Sequence, residues 1–329
     1  MKSPSALLPV LFAGLVTITA GGAMSLQGRA NGMLGPLLGH AVFAALVSFA
    51  VGLILAGTAL LCSSRSRDAA RTLFHVLRTR AMPWWMLLGG LSGALVVIAQ
   101  ATTVPVMGVA MFTMAFVSGQ VTGGLAVDST KLPPGGKQRL TVVRVFGVIV
   151  VIAALVFGAS ERMNLGVPLW ALLLPFVSGA LTSVQQACNG RIKSATGSAV
   201  VATTVNFAIG FAALLLAAAV IMLGGVRWEG FPTEPTQWWM LLGGAFGVIF
   251  IGLTALTVAR LGVLLLSLFS LFGNLLGALL LDLVLPIPGS LVSTTTVISA
   301  VLVLAGIAIT IMPSTRPSSG SRRGPESRT

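Results

Sequence analysis

Trp84-Trp85-Met86-Leu87-Leu88-Gly89-Gly90 recurs unchanged as Trp238-Trp239-Met240-Leu241-Leu242-Gly243-Gly244, 154 residues further along the chain. A seven-residue identity with two tryptophans is not explained by apolar composition, and it does not stand alone. The same shift carries Gly119-Gln120 onto Gly273-Asn274 and Asp128 onto Asp282. A shift of 158 carries Gln27 onto Gln185, Asn31-Gly32 onto Asn189-Gly190, and Val47-Ser48-Phe49-Ala50-Val51-Gly52 onto Val205-Asn206-Phe207-Ala208-Ile209-Gly210. The chain reads as an internal duplication.

The duplicated unit belongs in a bilayer. Of 329 residues, 56% are hydrophobic and 8% charged, and the mean hydropathy is +1.00. A soluble surface needs about 25% charged residues. Spans of about 20 apolar residues, bounded by charges or Gly/Pro/Ser clusters, mark transmembrane helices. Ten segments qualify: 7–33, 40–62, 83–103, 106–127, 141–159, 168–190, 198–223, 237–258, 261–283 and 291–312. The expected fold is an all-α polytopic membrane protein. Residues 1–160 form a first five-helix repeat, 161–312 a second, and the polar, Arg-rich 313–329 a disordered cytoplasmic tail. The run from Leu7 to Ala20 imitates a secretory leader, but its partner in the duplication is the internal sixth span, so it is expected to stay as the first helix.

Five is odd, so the second copy enters the membrane from the opposite side: an inverted-topology repeat. Charge supports this independently. Arg65, Arg67, Arg71, Arg78 and Arg80 follow the second span, and Lys131, Lys137, Arg139 and Arg144 flank the fourth and fifth. With Lys2, Arg191, Lys193, Arg260, Arg316, Arg322, Arg323 and Arg328, 17 of the 20 basic residues fall on one side, leaving Arg29, Arg162 and Arg227 on the other. Lys and Arg accumulate in the cytoplasm, which places both termini there, in a bacterial inner membrane. The net charge of +13 is therefore a topology signal and not a nucleic-acid footprint.

Within the spans the polar residues are amides. No Asp, Glu, Lys or Arg falls at the centre of a span, and Asp128 and Asp282 read as solvated helix ends. An amide facing lipid leaves its donors and acceptors unmet, so these side chains should turn inward. Three positions recur in both copies: Gln27 with Gln185, Asn31 with Asn189, and Gln120 with Asn274. Inverted repeats build binding sites at their interface, which makes these six the candidate solute-binding residues. The alternative for each is helix–helix glue, contributing roughly 0.6 to 2 kcal/mol. The pairs Gly89/Gly93, Gly243/Gly247, Gly119/Gly123 and Gly273/Gly277 have the spacing of close helix contacts.

Enzyme chemistry finds little support. Cys62 and Cys188 show no ligand spacing, His40 and His75 are the only histidines, and there is no tyrosine; no catalytic or metal constellation and no cofactor is expected. The tryptophan pairs suit the headgroup region. The Arg-rich stretch 65–80, with Leu73, Phe74, Val76 and Leu77, suits an amphipathic helix on anionic lipid, although topological signalling alone would also explain it.

The Gly-rich first helix running into Ser25-Leu26-Gln27-Gly28-Arg29-Ala30-Asn31-Gly32, the Pro83-Trp84-Trp85 start with Gly89-Gly90, and Gly119-Gln120 together resemble the drug/metabolite transporter superfamily, in its YdcZ-like branch, as a fused two-copy member. That resemblance implies helices around a central cavity, lined mainly by helices one, three and four of each half, and alternating-access transport of a small polar or amphipathic solute, often by export. The second copy departs from the pattern at Asn274 and at Gln237, which replaces the proline. The expected partners are a small-molecule solute and membrane lipids, with no nucleic acid; a homodimer is left open. The competing reading is a non-transporting scaffold or partner subunit. Reporter fusions check the orientation: a fusion at residue 70 should read cytoplasmic, and a periplasmic signal there would overturn it.

Overall fold

The computed structural model describes residues 4–138, 140–286 and 292–311. The expected tail at 313–329, and both ends of the expected tenth span, lie outside the described residues. The described chain is helical: α1 (Pro4–Leu37), α2 (Ala41–Cys62), α3 (Ser64–Arg78), α4 (Gly89–Asp128), α5 (Val142–Asn164), α6 (Leu169–Thr196), α7 (Ala199–Leu223), α8 (Gly243–Val284) and α9 (Thr294–Ile311). Each tryptophan pair lies in a 3-10 turn, Trp84–Leu88 or Pro235–Leu242, that leads into the next long helix. Trp84, Trp85 and Trp238 stay exposed, as headgroup anchors should. Among the described residues, seven segments are long and apolar enough to cross a bilayer, and the shorter apolar stretches Leu268–Val284 and Thr294–Thr310 accompany them.

The helices pair between copies. The most extensive contacts join α1 to α8, α4 to α6, α5 to α9 and α2 to α7. Exchanging the copies turns α1–α8 into α6–α4 and returns the other two pairs to themselves, so the packing repeats the duplication.

The α1–α8 and α4–α6 crossings are set by backbone contact. A Cβ on Gly119 would lie 1.8 Å from the Phe176 carbonyl oxygen, and one on Gly179 would lie 1.9 Å from that of Phe116. In the other crossing, Gly273 would meet the Ile18 oxygen at 2.1 Å and Gly21 the Ser270 oxygen at 2.2 Å. Lipid tails are as apolar as leucine, so helices gain little by hiding apolar surface from them. Close packing between small residues supplies the attraction instead.

At 1.5 Å per residue, a helix the length of α4 would reach about 60 Å, twice a bilayer's hydrocarbon core. It breaks at Gly108, which has φ 80° and ψ 169°, a region open essentially to glycine alone. The sequence places this boundary between 103 and 106, around Pro105. The difference is physical: proline's fixed φ fits a helix, whereas the break needs the positive φ of glycine three residues later.

The Arg-rich stretch forms α3, capped by the Ser63 hydroxyl, which accepts from the Ser66 amide. Its Ala69 and Leu73 are buried with Met86, Cys188, Ile192 and Val201, while Phe74 remains exposed. Ala70, Val76 and Leu77 pack against the same cluster, so most of its apolar face is used inside the protein.

The crossing geometry gives a paired prediction. Gly119→Leu should lower thermal stability by about 1–3 kcal/mol or more through overpacking. Gly124→Ala, five residues along the same helix with only the Ser183 hydroxyl 3.8 Å away, should leave melting in detergent unchanged. Equal melting of the two variants would refute the contact.

Candidate functional site

Between the two copies lies a cavity of about 1360 Å³. Its wall starts near the middle of the helices, at Gln27, Gly93, Gly247 and Asn274, and runs to the loop carrying Pro133, Pro134 and Gln138. That loop lies on the face with the basic connections. Among the described residues, none of the connections at the opposite face, 38–40, 165–168 and 224–234, contributes to the wall.

Five of the six candidate residues meet here: Gln27, Gln120, Gln185, Asn189 and Asn274. Asn31 does not line the wall. It is fully buried, and its Nδ2 donates to Gln100 Oε1 at 2.7 Å. The stacking of Gln27 and Asn31 on one face of α1 explains their shared direction, toward the glycines of the other copy. A Cβ on Gly243 would lie 2.4 Å from Asn31 Oδ1, and one on Gly247 would lie 3.2 Å from Gln27 Oε1. The mirrored contact holds on the other side, where Gly89 faces Asn189 Oδ1 at 3.6 Å and Gly93 faces Gln185 Nε2 at 3.1 Å. The Gly-x-x-x-Gly pairs therefore do more than let backbones approach: they seat the matched amides of the opposite repeat.

Those seats leave polar atoms unmet. Gln27 Oε1, Asn31 Oδ1, Gln185 Oε1 and Asn206 Oδ1 are buried without a hydrogen-bond partner, a condition that costs about 1–3 kcal/mol per group. The third matched pair is held through its backbone. Ser25 donates to Asn274 and Ser183 donates to the Gln120 carbonyl at 2.7 Å, and these two serines are themselves matched by the duplication.

Gln186 and Asn206 also line the wall, as do Phe49 and Phe207, whose rings meet edge to face with centroids 5.2 Å apart. Both phenylalanines occupy matched positions in the repeat alignment, which was the available signal for them. Asn206 carried no such signal, because its counterpart is the buried Ser48. Among the described residues, the formal charges on the wall are Asp128 and Arg144, which pair with each other at the mouth. The interior is neutral, rich in amides and apolar.

Charge reappears on the far side of the cavity. Asp282 is 3% exposed, and its carboxylate accepts from the Val109 amide at 3.1 Å and the Ala110 amide at 2.7 Å. These are the first free N–H groups after the Gly108 break, so Asp282 caps a half-helix whose dipole favours an anion. Buried Arg29 and Arg162 act on it electrostatically, and Arg29 reaches the Leu281 carbonyl at 3.5 Å. The expectation of a solvated end is thereby corrected for Asp282. Two arginines that sequence places at the outer surface are drawn inward around it.

Comparison with known proteins agrees with this architecture. No curated protein matches the chain by sequence. Seven chains of solved structures match it; one crystal structure superposes with a TM-score of 0.53 at 20% identity, covering 91% of this chain and 95% of the other. That likeness shows the fold alone. The family described as "Putative inner membrane exporter, YdcZ" matches residues 12–157 and again residues 170–309. Two matches in tandem, spanning nearly all of both repeats, mean that this chain is a two-copy member of the YdcZ family of inner-membrane drug/metabolite transporters.

Proposed function

We propose that this membrane transporter carries a small polar or amphipathic solute by alternating access, rocking one five-helix repeat against the other across ten spans. The observation that carries the reading is the cavity at the repeat interface, amide-lined and, among the described residues, reaching the face with the basic connections. With basic loops in the cytoplasm, both termini are cytoplasmic and the cavity loads from inside, as export requires. Gln27, Gln120, Gln185, Asn189 and Asn274 recognise the solute by hydrogen bonds, while Phe49 and Phe207 cover its apolar part. Asn31, held by Gln100, stands behind the wall. A neutral interior selects against a formal charge, because a lone ion there would lack a counter-charge.

A panel of neutral, zwitterionic and cationic solutes tests this on the purified protein. A neutral or zwitterionic solute should raise thermal stability, by about 2.7 kcal/mol at a hundredfold excess over its Kd. Gln27→Leu combined with Gln185→Leu should remove both that shift and solute flux in membrane vesicles, with protein abundance unchanged. Stabilisation and flux that survive the double variant would remove these amides from the site.

A further inference from the structure

The two copies are matched in sequence, yet their aspartates do different things. Asp282 is buried and caps the half-helix that begins at Val109, after the break at Gly108. Its counterpart Asp128 sits at the cavity mouth, partly exposed and paired with Arg144. The capped segment has a counterpart too. The shift of 154 that carries Asp128 onto Asp282 also carries Gly108-Val109 onto Gly262-Val263, within α8.

We propose that Asp282 and Asp128 are reciprocal latches. Asp282 closes the far gate in the state seen here by capping α4 at Gly108. In the opposite state it lets go, and Asp128 leaves Arg144 to cap α8 at Val263 and Leu264, closing the near gate. The proposal rests on alternating access and names the residues that bias it.

A carboxylate on the free N–H groups of a helix start is a short-range, directional contact, present or absent and not graded. Within α4, Gly108 takes the backbone geometry that exposes those groups, and a glycine at 262 offers the same freedom in the other half. Finally, each latch has a cationic alternative. Arg29 and Arg162 lie within electrostatic reach of Asp282 when it is engaged, and Arg144 pairs with Asp128 when it is not. An inverted repeat needs one such device at each gate and must not release both together, or the cavity would be open to both faces.

Gly124 and Ala278, matched by the same shift, report the two states. Gly124 lines the open cavity, whereas Ala278 is fully buried. Single cysteines are placed at these positions in turn, with Cys62 and Cys188 replaced by alanine. A membrane-impermeant maleimide is then applied to sealed vesicles of each orientation. The measured quantity is the labelling rate of Gly124→Cys from the basic-loop face divided by that of Ala278→Cys from the opposite face. Asp282→Asn should lower this ratio by roughly 2- to 30-fold, the range expected for loss of a capping carboxylate. Asp128→Asn should raise it by a similar factor. Should Asp282→Asn fail to accumulate in the membrane, Asp128→Asn and Gly262→Ala carry the test, and both should raise the ratio. Asp282→Asn and Asp128→Asn that move the ratio in one common direction, or an Asp128→Asn or Gly262→Ala that lowers it or leaves it unchanged, overturn the latch. Ala278→Cys that reacts in the otherwise unmodified protein while ignoring the aspartates overturns the latch alone. Ala278→Cys that never reacts from the opposite face, in any variant, overturns alternating access with it.

Discussion

Four glycines allow this fold to exist. Gly21 against Gly273, and Gly119 against Gly179, bring the backbones of α1 and α8, and of α4 and α6, so close that any side chain would overlap a carbonyl oxygen. In lipid this matters more than in water, since helices cannot gain by hiding apolar surface from a solvent that is itself apolar. Everything nearer the site follows from these two crossings. They set the depth at which Gln27 and Gln185 meet the glycines of the other copy, and they bring Ser25 and Ser183 onto the backbones of Asn274 and Gln120. They also leave a space between the copies that becomes the cavity.

The polar chemistry is arranged in layers along that space. At the mouth a carboxylate and a guanidinium neutralise each other; in the middle, amides and phenylalanines provide a wall without net charge. At the far side, a carboxylate sits among two arginines and two backbone amides. A charged group in the middle layer would be stranded, whereas each charge in the outer layers has a counter-charge nearby. The orphaned oxygens of Gln27, Gln185 and Asn206 belong to residues of the middle layer, and that of Asn31 lies behind it.

Much of this was legible in the chain. The repeated Trp-Trp-Met-Leu-Leu-Gly-Gly run and the matched amides implied two copies meeting at a polar interface, and five of the six amides do share one cavity. Asn31 escaped because its partner, Gln100, has no amide counterpart: the matching position in the second copy is Thr254. The two phenylalanines were legible as aligned residues but not as a wall, since alignment tells which residues correspond and not which ones meet; Asn206, aligned with Ser48, had no amide counterpart to mark it. The α4 boundary slipped by a few residues because proline was the conspicuous breaker, while the backbone required glycine.

By itself, then, the sequence determined the bilayer as solvent, the duplication, the charge asymmetry that orients it, and the residue types available at the interface. These depend on composition and order, which are local properties of the chain. Tertiary structure alone decided which of two matched aspartates is buried and which lies at the mouth, and which matched asparagine lines the cavity and which is locked behind it. Equivalent residues at equivalent positions carry the same local preferences. Only the packing of one copy against the other can give them different surroundings.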